Sequence, residues 1–465
     1  MNPKRTTTIP RENRAKPQLT LRLSLGEPNI IEQKAYGEEL SIIGPRNDPS
    51  YDWPTSLVGH VSRKSRQLMP SDDHPMIWNA TPHTIAKIEM LSAYLTAWFQ
   101  ILGRTMRGKD LIYIDGFAGP GEYINHPDGS PIAAIKAAMT ARSNSHASWQ
   151  ANSIHCAFIE VDPDRYSNLL NRIEPYDNRL GLHLHSVRGT FVNGLPRLQA
   201  QLPSLSSGNP CFVFIDPFGA TGVPFSVVAA ILSNPTSEVL INLDADGIAR
   251  VMRASTNAAN ATTMDSIFGD ASWRSIHDRH LRFQGESRAV LDLYRSKLRA
   301  LPDVDYTFPF EMRSQSGTLN YFLVFASQHH RGLEKMKEAM RQIDNSGAYC
   351  FSDAHSEESR LFHFDNPEDY ARQIFDTFQG QTVPYAAVRD YVLNETPLIS
   401  PKKILKQLED ERQLHVVGAG AGRRRGTFAD DHIASISIIF HPEWTVRPSE
   451  NEEAPQMQSL FEGLL

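Results

Sequence analysis

The sequence predicts an α/β protein: a mostly parallel β-sheet covered by helices on both faces, followed by a small module of helices and a two-stranded wing. Three observations carry the prediction. Short apolar runs, LIYID, IHCAFIE, LHLHSV, CFVFID and EVLINLD, are separated by stretches of helical character, and strands joined by helical crossovers form parallel sheets buried on both faces. After them, DYTFPFEM and TLNYFLVFAS flank RSQSG, a β-hairpin signal. Past about residue 365, three helical stretches precede LHVV, the loop GAGAGRRRGTF and SISIIF, which is the order of a winged helix.

A chain of 465 residues is too long for one ordinary core, so two domains with extensions are expected. The boundaries read as a loosely structured extension over 1–77, the α/β domain over 78–345, a winged-helix-like domain over 365–445 and a tail over 446–465. Apolar content of 40% and charged content of 22% fit a soluble globular protein. No apolar run approaches the ~18 residues of a membrane span. The opening MNPKRTTTIPRENRAKPQ is basic but has no apolar stretch after it, unlike a secretory signal. A cytoplasmic location without membrane contact is the expectation.

Cys156, Cys211 and Cys350 are far apart and form no CxxC pair or Cys/His cluster, so no metal site is expected. They read as small buried hydrophobes. The formal charge of −6 argues against an overall electrostatic drive towards nucleic acid, while leaving room for local basic patches.

Regular structure begins in PHTIAKIEMLSAYLTAWFQIL, where Ile88, Leu91, Leu95, Trp98 and Leu102 recur at helical spacing and predict a core-facing helix. Ser130 and Pro131 read as the cap and first-turn residue of the helix after the first strand. Further helices are expected from Pro163, from about Pro224 and across residues 246 to about 300, with Met252, Ile267, Trp273 and Leu291 among their apolar positions. Five alternating strands closed by a hairpin match the Rossmann-like sheet of class I methyltransferases, in which one terminal strand is antiparallel. A plain dinucleotide-binding domain would continue with another strand–helix unit.

The chemistry is expected at the strand ends. Asp115-Gly116-Phe117-Ala118-Gly119-Pro120-Gly121 directly follows the first apolar strand. Glycines permit a tight turn and let backbone N–H groups approach a ligand, although tight turns also use glycine structurally. Asp115, Gly116, Phe117, Gly119 and Gly121 are the candidate loop for S-adenosylmethionine (SAM). Asp115 is placed to reach the polar groups of its amino-acid part. Glu160 ends the second strand, where a carboxylate can accept from ribose hydroxyls; a solvated strand-end glutamate is the alternative. It lies 45 positions after Asp115, against about 20 in a dinucleotide fingerprint. Thr190, after the third strand, stands where methyltransferases often place an acidic group near adenine.

Asp216-Pro217-Phe218-Gly219 ends the fourth strand, at the edge where open α/β sheets bind ligands. Amino-methyltransferases carry an [Asp/Asn/Ser]-Pro-Pro-aromatic motif here, whose oxygen accepts from the target amine while the ring stacks on a base. Asp216, Pro217 and Phe218 are therefore the candidate catalytic residues, for an exocyclic amine. The sequence departs from the motif: the second proline is missing and the aromatic comes one position early. A sharp strand-to-loop turn is the structural alternative. A cytosine-C5 mechanism would need a nucleophilic cysteine, but Cys211 starts its strand at the opposite end.

In the C-terminal module, Arg423, Arg424 and Arg425 with Lys402, Lys403 and Lys406 make a local basic patch suited to the phosphates of DNA or RNA. A solvated face beside Glu409, Asp410 and Glu411 is the alternative.

The chain resembles the three-Cys-motif partner protein (TcmP) family. The resemblance spans roughly residues 78–445 and rests on PHTIAKIEMLSAYLTAWFQIL, LIYIDGFAGPGEY, GSPIAA, AFIEVD, FVFIDPFGATGVP, EVLINLD and the RRRGTF wing. It implies a SAM-dependent methyltransferase fold with an appended winged helix. It also implies a separate neighbouring protein with a three-cysteine motif, of radical-SAM-like type, as partner. It names no substrate. Two functions are thus expected: a methyltransferase acting on nucleic acid, or a non-catalytic nucleotide- or DNA-binding partner of the three-cysteine protein.

Overall fold

The computed structural model describes residues 76–202, 205, 208–217, 219, 222–277, 283–314, 318–344, 349–352, 367–418, 423–428 and 435–444. The extension expected over 1–77 lies outside these apart from its last two residues, and the expected tail lies wholly outside. Residues 77–465 belong to one unit.

The five alternating strands are present: β1 (Leu111–Asp115), β2 (Ile154–Glu160), β3 (Leu182–Arg188), β4 (Cys211–Ile215) and β5 (Ser237–Leu243). The hairpin supplies β6 (Tyr306–Arg313) and β7 (Leu319–Ser327). The sheet order is β3-β2-β1-β4-β5-β7-β6-β8. Strand β7 pairs antiparallel with both β5 and β6, and every other pairing is parallel. This is the expected Rossmann-like class I methyltransferase sheet. The edge strand β8 (Cys350–Ser352) is an addition; three residues show too little alternation to be read from sequence.

Alternation along the strands divides the core in two. Tyr113, Phe158, Phe212, Phe214, Leu240 and Phe325 face one side. There they meet α1 (Pro82–Thr105), α2 (Ser130–Asn144) and α9 (His330–Ile343). The stripe on α1 behaves largely as expected: Ile88, Leu91, Leu95 and Trp98 are buried, with Tyr94 and Phe99, while Leu102 is partly buried against the same core. Ile112, Ile114, Ile159, Val213, Ile215 and Ile241 face the other side. The helices of eight or more residues between α2 and α9 are α3 (Pro163–Ile173), α4 (Phe191–Gln201), α5 (Phe225–Leu232), α6 (Ala245–Arg253), α7 (Ala258–Phe268) and α8 (Phe283–Arg299).

One expected cap is corrected. Gly129, not Ser130, is the N-cap of α2. Its N–H donates to the Gly121 carbonyl at 2.8 Å, and a Cβ at Gly129 would lie 2.7 Å from that carbonyl carbon. Only glycine fits so close an approach. The Ser130 hydroxyl turns instead to Asp115.

The C-terminal module has its own core, including Ile374, Phe375, Val388, Leu405, Leu408 and Phe440. It consists of α10 (Pro367–Phe378), β9 (Thr382–Pro384), α11 (Tyr385–Glu395), α12 (Lys402–Asp410), β10 (Leu414–Val417) and β11 (Ser437–Phe440). The strands form an antiparallel sheet in the order β10-β11-β9; β9, again three residues long, is the strand the sequence reading lacks.

Buried polar groups join this module to the large sheet. Lys337 of α9 is 0% exposed, and its Nζ donates to the carbonyls of Thr396 (2.6 Å) and Leu398 (3.0 Å). The same ammonium lies 4.0 Å from the Phe308 ring centroid, a favourable position over a π face. Arg295 of α8 donates to the Asn394 carbonyl at 2.7 Å. Arg341 Nη2 and the Tyr349 hydroxyl both donate to the Pro397 carbonyl, at 3.0 and 2.8 Å.

Candidate functional site

Parallel pairing places the ends of β1, β2 and β4 on one edge. Asp115 pairs with Phe158 of β2 and Phe214 of β4; Glu160 and Asp216 each lie two residues further along. Strands β2 and β4 flank β1 on opposite sides, so the chain reverses its winding between β1 and β4. Open α/β sheets form their ligand crevice at such a switch point.

Asp115 is fully buried. Its Oδ1 accepts from the Phe117 N–H (3.2 Å) and its Oδ2 from the Tyr113 hydroxyl (3.3 Å). Burial pushes the carboxyl up to about 7, against the lowering effect of the Ser130 and Phe117 hydrogen bonds. It shapes the start of the glycine turn from beneath.

Within the turn, Gly119 and Gly121 have φ of +63° and +84°, the left-handed region where side chains are strained. A Cβ on Gly116 would collide with the Phe191 ring at 2.6 Å, whereas one on Gly119 would meet nothing within 4 Å. Gly116 therefore lets the turn sit down on α4, and Gly119 faces open space. Phe117 lies 5.7 Å from Phe191, ring to ring.

Glu160 is buried and ties the turn to β2. Its Oε2 accepts from the Gly119 N–H and its Oε1 from the Asp162 N–H, both at 2.8 Å. One lone pair on each oxygen remains for a ligand. Thr190 is exposed and caps α4, its Oγ1 accepting from the Asn193 N–H at 3.4 Å.

At β4 the structure adds two residues that the sequence reading missed. Asp216 Oδ2 accepts from Lys87 Nζ of α1, and Oδ1 accepts from Asn242 Nδ2 of β5, both at 2.6 Å. Asn242 Oδ1 is buried and has no hydrogen-bond partner among the described residues. Lys87 also lies 5.3 Å from the Tyr321 ring centroid. Pro217 lines a small cavity with Ile215, Val223, Ile241, Asn242 and Tyr294. Phe218 lies outside the described residues. The sequence does carry a faint signal for Lys87: it stands four residues before Leu91, one turn ahead on the same apolar stripe. Nothing local marks Asn242.

Cys211 begins β4 at the far edge, and burial pushes its thiol up to about 12. The exclusion of a cysteine nucleophile fits this position.

In the C-terminal module the basic residues divide. Arg423 makes a two-pronged pair with Glu409, at 2.7 and 2.8 Å, and stacks on Phe428. Arg425 donates to the Glu409 carbonyl and lies 3.7 Å from Asp410. These two arginines are used in holding the segment to α12. Lys403, Lys406 and Arg424 are exposed, and Lys402 is half-buried.

No protein-family model matches the sequence, and no curated protein matches it. Solved structures do. An O-methyltransferase from Bacillus cereus in complex with SAH is 12% identical, with 57% of this chain and 86% of that one covered and a TM-score of 0.27. The O-methyltransferase TomG from Streptomyces achromogenes, in complex with SAM, is 14% identical, with 57% and 93% covered and a TM-score of 0.25. The B. subtilis tRNA methyltransferase TrmK is 9% identical, with 68% and 93% covered and a TM-score of 0.20. At such scores the strand order and the reversed β7, not the superpositions, carry the fold.

Proposed function

We propose that this chain is a SAM-dependent methyltransferase that acts on nucleic acid. The observation that carries the reading is the open left-handed turn at Gly119, held by Glu160 at the β1–β4 switch point. A nucleoside with an amino-acid arm fits these residues. Open space above Gly119 admits the arm, Asp115 holds the turn in shape from beneath it, Glu160 keeps lone pairs for ribose hydroxyls, and Thr190 stands near the adenine end. When bound, SAM supplies an electrophilic methyl on a sulfonium. Asp216 and Pro217, with Phe218, belong to the acceptor side.

The order α10, β9, α11, α12, β10, β11 supports a winged helix in which Lys402, Lys403, Lys406 and Arg424 offer charge to phosphates, with Arg423 and Arg425 bracing the wing. The resemblance to the TcmP family favours a three-cysteine neighbour as partner.

Calorimetric titration tests the reading. SAM should bind in the micromolar range, and Asp216→Ala should abolish transfer yet leave SAM binding largely intact. Absence of binding at high micromolar SAM removes the proposal. Loss of binding and transfer together would make Asp216 a structural or cofactor residue.

A further inference from the structure

The acceptor side of the crevice holds a cation that the strand-end motifs do not announce. Lys87 Nζ lies 2.6 Å from Asp216 Oδ2, with its side chain only 13% exposed. An ammonium carries three N–H donors. One is used by Asp216, and among the described residues no other oxygen accepts from Lys87. Asn242 fixes the second carboxylate oxygen from the opposite side. Each Asp216 oxygen keeps a further lone pair, so a donor and an acceptor stand side by side.

An exocyclic amine is a poor fit to that pair. It presents two N–H donors, its lone pair is delocalised into the base, and against Lys87 it sets donor against donor. A hydroxyl fits both halves, accepting from Lys87 while donating to Asp216. Within a nucleic-acid chain the free hydroxyl is the ribose 2′-OH, which DNA lacks. Resting on the methyltransferase reading above, we propose that the acceptor atom is a ribose 2′-oxygen of RNA and that Lys87 is the donor that receives it.

The step balances simply. The hydroxyl oxygen forms a bond to the methyl carbon as the carbon–sulfur bond breaks, its electron pair going to sulfur to leave a neutral thioether. The hydroxyl proton passes to Asp216 and then to water. Lys87 stabilises the negative charge developing on the oxygen, as preorganised donors do in other transfers.

The test uses the full chain with isotope-labelled SAM, offered total RNA and duplex DNA in parallel, followed by digestion to nucleosides and mass analysis. Methyl on the ribose of RNA alone is the expected result. Lys87→Met should lower that transfer roughly 100-fold or more, Lys87→Arg should restore part of it, and the affinity for S-adenosylhomocysteine should stay within about twofold. A readout free of turnover is sinefungin, whose protonated amine replaces the sulfonium methyl. Removing Lys87 should tighten sinefungin relative to S-adenosylhomocysteine by roughly tenfold or more, because a like charge is lost beside Asp216. Methyl on a base nitrogen or in DNA, no transfer to RNA although SAM binds, or an unchanged sinefungin ratio each overturns the proposal while sparing the methyltransferase reading. If the wild-type chain binds no SAM, both fall together.

Discussion

Glu160→Gln isolates the contact that organises the crevice. The glutamate accepts from two backbone donors, Gly119 N–H and Asp162 N–H, each at 2.8 Å. Glutamine has almost the same shape but only one accepting oxygen; its other end is an NH₂ donor. Whichever way the amide turns, one backbone N–H loses its partner and faces another donor. A hydrogen bond to a charged group contributes about 1.5–3 kcal/mol, and a buried donor left unsatisfied costs about 1–3 kcal/mol. These overlap, so about 2–4 kcal/mol of local opening energy should disappear. The described residues form three separate cores, and global unfolding need not be two-state. Native-state hydrogen exchange at Gly119 and Asp162 is therefore the suitable assay. One of the two amides should lose protection by roughly 30-fold to 1000-fold, at 1.4 kcal/mol for each factor of ten. Exchange unchanged within about threefold at both amides would show that the turn stands without Glu160, and the account of the crevice would fail.

Three further outcomes follow from the same geometry. Gly119→Ala places a Cβ in open space at φ +63°, so stability should fall by only about 1–2 kcal/mol while SAM affinity falls much further; equal small losses would mean that the turn does not face the ligand. Lys337→Met leaves the Thr396 and Leu398 carbonyls without their donor and should destabilise the chain by about 1–3 kcal/mol after relief of the buried charge. Chemical denaturation checks this, and a gain in stability would refute it. Burial pushes the His155 imidazole from 6.5 down to about 4, against the raising effect of Asp110 and with His185 and His183 also lowering it. The unfolded chain then takes up the proton first, so stability should drop as pH falls from about 6.5 to about 4. His155→Asn should flatten that slope in a pH series of melts.

The sheet was legible because its signals are local and repeated: apolar runs of strand length, helical stretches between them, and a turn-rich break inside the hairpin. The strand-end residues were legible for the same reason, since each follows its run directly. What was hidden depends on distance or brevity. Lys87 reaches Asp216 across 129 residues of sequence, and Asn242 sits inside an ordinary strand on the face that happens to carry Asp216. Strands β8 and β9 are three residues each and exist only because a neighbour supplies an edge. The triple arginine read as one patch because sequence shows charge but not pairing. Glu409, on the preceding helix, takes Arg423 and the main chain beside it.

The seam between α8–α9 and the segment from Asn394 to Leu398 has an unusual tolerance. Lys337, Arg295, Arg341 and Tyr349 all bind that segment through its carbonyls. Carbonyls are the same in every residue, so these bonds survive a change of the side chain beside them, whereas Asn394 and Glu395 also bind through their side chains, to Thr307, Asp305 and Arg299. A deletion or insertion of one residue would slide each carbonyl away from its donor at once. The connection between the two parts of the chain is thus strict about length throughout, and strict about spelling only where a side chain takes part.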